Sequence, residues 1–229
     1  MGKILTLYHG SDCEVPTPDL TKGKLNNDYG RGFYCTEHFN LACEWASKRK
    51  GIGGFANQYE LDLTGLKILD LTKKEYSILH WITILLQNRT FSLTTPISAQ
   101  AKKYLIENFG INTAGYDLIS GYRADDSYFS FAEDFLTNAI SVQHLAEAMR
   151  LGKLGIQHVL VSEKAFEQLR FICAKPVEND VFYQRYIDRD TEARQKYKES
   201  KANLTIASDE LYVLDILREG IKNGDARIP

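Results

Sequence analysis

Two short stretches decide how this chain is interpreted: Tyr8-His9-Gly10-Ser11 and Gly30-Arg31-Gly32-Phe33-Tyr34. The first closes the apolar run 4–8, which predicts a β-strand that turns into a loop at a glycine. The second predicts another short strand, because two aromatic residues follow two glycines. A lone histidine at a strand end is usually structural, and paired aromatics usually belong to a core. Gly10 adds a functional alternative, since a missing side chain lets a ligand approach the backbone.

Composition restricts the class of protein. The 229 residues are 44% hydrophobic and 25% charged, with a formal net charge of −2. This balance gives no global attraction to nucleic acid or to an anionic membrane. The most apolar helical segment, 76–86, is too short to span a bilayer, and the N-terminus lacks the apolar run of a signal peptide. We therefore expect a cytoplasmic protein without membrane contacts.

The cysteines and histidines show no metal-ligand spacing. The chain contains neither a C-x-x-C nor an H-E-x-x-H arrangement among its four cysteines and five histidines. We expect reduced thiols and no metal site.

Hydrophobic periodicity predicts short strands with helices bunched between them. We expect strands at 4–8, 33–35, 58–62, 67–71, 116–120, 158–162 and 169–173. Helices are expected at 36–50, 73–88, 98–109, 127–138, 141–151, 190–200 and 209–223, with a short helix starting near Glu163. The pattern indicates an α+β fold in one domain, 1–229, with a helical insertion around 73–150 and a helical C-terminal extension at 185–229.

Taken together, the two opening motifs resemble the start of the catalytic core of poly(ADP-ribose) polymerases and diphtheria-type toxins, within the ADP-ribosyltransferase superfamily. The resemblance implies a split antiparallel or mixed β-sheet and NAD as the substrate. It implies that His9 binds the NAD ribose and that the backbone at Gly10, next to Ser11, holds the nicotinamide amide. Gly32 belongs to the second motif, in which Tyr34 would stack on the nicotinamide ring.

Two further positions extend the resemblance. These relatives carry a second stacking aromatic eleven residues after the tyrosine, and that count reaches Trp45. A glutamate that precedes a strand and a short helix forms their third motif, and Gln157 occupies its place, which gives a His–Tyr–Gln signature. A serine that contacts the nicotinamide amide in polymerases is replaced by Ala42. The whole chain also resembles a bacterial family of unknown function in the same superfamily.

The glutamine limits the implied chemistry. A neutral amide can hold a ribose hydroxyl but cannot accept a proton, so transfer of a single ADP-ribose unit is expected rather than chain elongation. Asp125 or Asp126 is the expected proton acceptor, although the same aspartates could instead cap a helix that begins near Ser127. Arg31 or Arg123 would pair with the pyrophosphate, because a guanidinium is a planar, bidentate donor.

The resemblance leads to a mono-ADP-ribosyltransferase whose acceptor is a protein, DNA or RNA. Such an enzyme could be the toxin of a toxin–antitoxin or phage-defence pair, with an antitoxin protein as partner. The first alternative is a catalytically weak module that binds NAD, ADP-ribose or a protein, which Gln157 favours and Trp45 disfavours. A second alternative is an NAD-consuming RNA-repair phosphotransferase, but the motif His9-Gly10-Ser11 fits such an enzyme poorly. A purely structural protein is the least favoured, because three motifs in the correct order would then have arisen by chance.

Overall fold

A seven-stranded sheet in the order β4-β5-β6-β2-β1-β3-β7 forms the centre of the computed structural model. The structure describes residues 2–124, 126–151, 155–203 and 210–229, with only the backbone at 126–128. Its strands are β1 (Ile4–Ser11), β2 (Phe33–Thr36), β3 (Gly54–Asp62), β4 (Ile68–Asp70), β5 (Leu118–Tyr122), β6 (Ile156–Leu160) and β7 (Leu169–Val177). Only β4 and β5 are parallel, and every other neighbouring pair is antiparallel.

Eight α-helices lie in the described part of the chain. They are α1 (Phe39–Ala46), α2 (Ile78–Asn88), α3 (Pro96–Phe109), α4 (Asp126–Leu136), α5 (Val142–Ala148), α6 (Glu163–Glu167), α7 (Asn179–Ala202) and α8 (Val213–Glu219). The combination of a mixed sheet with these helices confirms the α+β class. None of these described helices is both long enough and apolar enough to cross a membrane.

Alternation along the strands separates two apolar clusters. In β5, the neighbours Leu118 and Ile119 belong to different clusters, because successive strand residues point to opposite faces of a sheet. The larger cluster packs Ile119 and Val159 against residues of α2, α3, α4, α5 and α8. A third cluster packs Ala42 of α1 against Ala56 of β3. Helix α1 is thereby fixed over the strand that carries His9.

Helix starts follow standard capping chemistry. The Thr95 side chain accepts a hydrogen bond from the Ser98 amide at 3.1 Å, and Pro96 supplies the first turn of α3, where its missing N–H is not needed. Ser162 caps α6 by accepting from the Ala165 amide at 3.2 Å. Helix α3 therefore begins two residues before the expected 98, and α6 begins at Glu163 as expected.

Several elements differ from the sequence-based expectation. Strand β3 begins at Gly54 rather than at 58, and helix α1 covers Phe39–Ala46 rather than 36–50. Helix α2 begins at Ile78 rather than at 73, and it is buried along Ile78–Leu86 because helices and strands surround it. Strand β6 begins at Ile156 rather than at 158, so that Gln157 lies inside the strand, opposite Thr36 and Gly121. Helix α7 begins at Asn179, well before 190 and before the expected extension at 185.

Candidate active site

The sheet separates between β1 and β2. These strands share a single residue pair, Tyr8 with Thr36, whereas β1 pairs with β3 along its full length. Past that pair, the His9 ring bridges the two strands, because its Nδ1 lies 2.8 Å from the Tyr34 carbonyl oxygen. A cavity of about 800 Å³ opens at this separation.

Seven of the predicted site residues line this one cavity, although they come from distant parts of the chain. They are His9, Gly10, Gly32, Tyr34, Trp45, Arg123 and Gln157. Ser11 and Arg31 do not line it: the Ser11 hydroxyl bonds to the Cys13 carbonyl, and Arg31 is exposed. Asp125 lies outside the described residues. Asp126 begins α4, but its side chain also lies outside them.

His9 is held as a neutral ring with a defined orientation. The Tyr34 carbonyl can only accept, so Nδ1 carries the proton and Nε2 keeps its lone pair. Burial lowers the pKa of His9, and the bond to the Tyr34 carbonyl offsets part of that effect. The Phe33 ring packs against the imidazole with the centroids 4.4 Å apart. His9 therefore offers a hydrogen-bond acceptor, such as a sugar hydroxyl requires.

Tyr34 is fixed by its hydroxyl. This group donates to the Gly30 carbonyl at 2.6 Å and accepts from the Tyr29 amide at 3.1 Å. Burial, the largest cause, raises the pKa of Tyr34 above its ordinary value. The phenol therefore stays protonated and anchors the 29–34 loop, and the ring contributes a surface to the cavity.

The two motif glycines have a packing role. A Cβ on Gly10 would lie 1.9 Å from the Ala42 carbonyl oxygen and 2.8 Å from the Trp45 Cβ. A Cβ on Gly32 would lie 2.5 Å from Cγ1 of Val159. Gly10 thus lets α1 approach β1 closely enough to bring Trp45 to the cavity. The sequence interpretation, in which Gly10 leaves room for a ligand, had not anticipated this contact.

Trp45 carries a cation on its ring. The guanidinium carbon of Arg123 lies 4.0 Å from the ring centroid, within cation–π range, and Arg123 is buried. Trp45 Nε1 is buried without a hydrogen-bond partner among the described residues. The ring can hold a flat cation, and in this structure Arg123 supplies one.

Gln157 donates from its side-chain nitrogen to two acceptors. Nε2 lies 3.3 Å from Asp28 Oδ2 and 3.3 Å from the Tyr122 carbonyl oxygen, and the residue is only 3% exposed. The Tyr122 carbonyl also accepts from the Tyr29 hydroxyl at 2.7 Å and from Trp81 Nε1 at 2.9 Å. Both neighbours of the amide accept hydrogen bonds, so the amide orientation is determined by chemistry.

Asp28 is the site residue that the sequence interpretation missed. It lines the cavity and is 8% exposed, and its Oδ2 also accepts from the Ala124 amide at 3.1 Å. Its Oδ1 lies 3.8 Å from Arg89 Nε. Burial raises the pKa of Asp28, and the bonds from Ala124 and Gln157 oppose that rise. The run Asn26-Asn27-Asp28 is typical of a turn, and nothing in the local sequence indicates that this turn folds inward.

Charges around the cavity favour an anionic ligand. Its described lining contains five lysines and arginines against three acidic residues, namely Lys22, Lys24, Lys48, Arg89 and Arg123 against Glu14, Asp19 and Asp28. The three lysines are exposed, and the two arginines lie deeper. A diphosphate bridge would find complementary charge here.

A separate polar chain links three strands away from the cavity. His158 Nδ1 lies 2.8 Å from the Ser120 hydroxyl, and its Nε2 lies 3.0 Å from Glu37 Oε1. The order serine, histidine and carboxylate matches a hydrolase triad. However, Ser120 and His158 are buried, and none of the three lines the 800 Å³ cavity. These hydrogen-bonded side chains therefore connect β5 and β6 to the end of β2.

The chain belongs to DUF3990, a family of proteins of unknown function whose model matches residues 5–171. The match covers all cavity-lining residues named above. No match was found among curated proteins or among solved structures. Because the family carries no assigned activity, the chemistry of the cavity must be argued from its own residues.

Proposed function

We propose that this protein is a mono-ADP-ribosyltransferase that cleaves NAD in the cavity between β1 and β2. The observation that carries the proposal is the convergence of His9, Gly10, Tyr34, Trp45 and Gln157 on one cavity. Motif resemblance selected these residues without reference to their positions in space. A volume of about 800 Å³ lies within the usual range for small-molecule sites.

The residues divide the expected work between the two ends of the substrate. His9 Nε2 accepts a hydrogen bond from a ribose hydroxyl, since its Nδ1 is committed to Tyr34. Tyr34 and Trp45 offer ring surfaces to the nicotinamide, a flat cation that aromatic faces attract. Arg123 currently stacks on Trp45, so binding of the nicotinamide there requires the guanidinium to move, and the pyrophosphate is its expected new partner.

Breaking the nicotinamide–ribose bond develops oxocarbenium character at the ribose carbon, as glycoside hydrolysis does. Fixing the ribose and the leaving ring in one geometry lowers this barrier. Gln157 is neutral and its nitrogen is committed to Asp28 and Tyr122. It therefore positions neighbouring groups and does not take a proton.

The alternative, a module that binds NAD without cleaving it, is favoured by Gln157, because this position carries no ionisable group. The experiment measures nicotinamide release from NAD by the purified protein, alongside calorimetric titration. Binding with release supports the proposal, and binding without release supports the module. The absence of both contradicts an NAD site. Labelled NAD with cell lysate, followed by protease or nuclease digestion, then identifies a protein, DNA or RNA acceptor.

A further inference from the structure

Gln157 has a carboxylate beside it. Asp28 Oδ2 lies 3.3 Å from Gln157 Nε2, and both side chains are buried while lining the same cavity. A glutamate at 157 would place a second carboxylate against Asp28 and would also face the Tyr122 carbonyl. Like charges at such a distance cannot both stay ionised without a large cost. The glutamine is thus the residue that the presence of Asp28 requires.

The two oxygens of Asp28 have different surroundings. Oδ2 accepts from the Ala124 amide and from Gln157. Within the described part of the chain, Oδ1 has the Arg89 guanidinium at 3.8 Å as its recorded contact. A carboxylate oxygen has two acceptor positions, so Oδ1 keeps capacity for a donor from the cavity. Its partner Oδ2 is meanwhile held in a fixed orientation.

We propose that Asp28 is the general base of this site and that it accepts, at Oδ1, the proton of the attacking nucleophile. The inference rests on the proposed NAD cleavage. It assigns to a residue of the 26–30 loop the task that a neutral Gln157 cannot perform.

The C1′–N bond breaks, and its electron pair leaves with nicotinamide, which departs neutral. A lone pair on the nucleophile's oxygen or nitrogen forms the new bond to C1′. The proton from that atom moves to Asp28 Oδ1, which becomes a carboxylic acid and later releases the proton to water. No oxidant, reductant or metal is required.

The charges that face Asp28 suit this role. Burial raises the pKa of its carboxyl, which makes the ionised form a better base, while Arg89 and Arg123 keep it from rising further. Among the described residues, the phenols of Tyr29 and Tyr34 are the other titratable groups that interact with Asp28. Burial raises the pKa of both phenols, so they stay neutral.

The test compares two nucleophiles on Asp28→Asn. Water must lose a proton during attack and needs a base, whereas azide is an anion and does not. With NAD and water, Asp28→Asn should release nicotinamide roughly 10²–10⁴-fold more slowly than wild type, with NAD affinity retained. With added azide, the variant should form ADP-ribosyl azide at a rate approaching that of wild type. Asp188→Asn, the same substitution at an exposed position of α7, is the matched control and should leave both rates unchanged.

The outcomes separate this inference from the function on which it rests. If wild type releases no nicotinamide, NAD cleavage and the role of Asp28 both fall. If wild type is active and Asp28→Asn keeps its water rate, or loses the water and azide rates alike, only the role of Asp28 is overturned. Should Asp28→Asn unfold, Asp28→Ser is submitted to the same comparison. In Asp28→Asn/Gln157→Glu, the carboxylate and the amide exchange places, and release should recover at least tenfold over Asp28→Asn.

Discussion

Some residues that line the cavity are also required for packing of the fold. Gly10 is the clearest case, because a Cβ there would meet the Ala42 carbonyl at 1.9 Å and the Ala46 amide at 2.8 Å. Both are backbone atoms of α1, which cannot move without lifting the helix. The requirement for glycine thus comes first from packing, and the position of Trp45 depends on it.

Gly10→Ala should therefore destabilise the protein by about 3 kcal/mol or more, at the upper end of overpacking costs. Urea denaturation measures the change. Gly53→Ala is the control, because a Cβ there has no described atom within 4 Å, and it should change stability by less than about 1 kcal/mol. Equal stability of the two variants would show that α1 tolerates displacement from β1.

At Tyr34, the roles of the ring and of the hydroxyl can be tested separately by substitution. The hydroxyl bonds to Gly30 and Tyr29, while the ring lines the cavity. Tyr34→Phe should cost about 0.5–1.5 kcal/mol of stability per lost hydrogen bond and leave NAD affinity close to wild type.

Tyr34→Ala and Trp45→Ala should each weaken NAD binding by ~1–3 kcal/mol, as expected for a lost stacking partner. Calorimetric titration measures the NAD affinity of these variants, and thermal melting measures their stability. Unchanged affinity in both alanine variants would contradict stacking of the nicotinamide on these rings.

Among the elements, α7 is attached to the sheet through α1. Arg189 on α7 reaches Glu44 on α1, with Nε at 2.8 Å and a terminal nitrogen at 2.7 Å from the same carboxylate oxygen. Both side chains are largely buried, at 16% and 9% exposure. Tyr186 of the same helix lines the cavity, so this contact also fixes part of the cavity wall.

Glu44→Ala should cost about 1.5–3 kcal/mol, because it removes a largely buried hydrogen bond between two charged groups. Glu107→Ala breaks the exposed ion pair with Lys103 on α3 and should cost about 0.5 kcal/mol or less. Chemical denaturation of both variants provides the comparison. A similar small cost for each would mean that water compensates Arg189, and that α7 is held by other contacts.

The sequence predicted most elements whose signal is local. Thr95-Pro96 and Ser162 mark the starts of α3 and α6 within the chain itself. By contrast, α7 buries only Ala193 and Tyr197, so it shows no apolar periodicity, and its start depends on Asn179 bonding to the distant loop 49–52. The early part of β3, from Gly54, is a strand because β1 and β7 lie on both sides of it.

The same distinction applies to the candidate site. His9 and Tyr34 were identified because each lies in a recognisable motif, and Trp45 because it follows Tyr34 by eleven residues. Asp28 was missed because its importance depends on Gln157 and Ala124, which are distant in sequence and meet it only in the fold. Asp125 and the Asp126 side chain lie outside the described residues, so their proposed role as proton acceptors stays a prediction.

For the whole molecule, the buried His80 and His158 and the half-buried His9 link stability to pH. Burial is the largest cause that lowers the pKa of His9, His80 and His158 below the ordinary value of 6.5. The unfolded chain, in which these rings titrate normally, therefore binds more protons than the folded protein in this range. Stability should be complete above about pH 7.5 and should fall as pH drops through 6.5 toward the lower folded values.

Asp28 changes the stability in the opposite direction at lower pH. Because its pKa is raised, the folded protein binds a proton before the unfolded chain does. Asp28 therefore adds stability as pH falls toward 3.8 and cannot cause a loss near pH 6.

His158 is the best residue for testing the histidine effect. Neutral His158 accepts from Ser120 and donates to Glu37, and a glutamine can reproduce one contact of each kind. His158→Gln should therefore be less stable than wild type at pH 7.5 but lose less additional stability on going to pH 5.5. Urea denaturation at pH 7.5, 6.5 and 5.5 measures both proteins. A wild-type stability that stays level or rises toward pH 5.5 would show that these rings remain accessible to protons in the folded state, and with it the neutral His9 assigned to the ribose would be wrong.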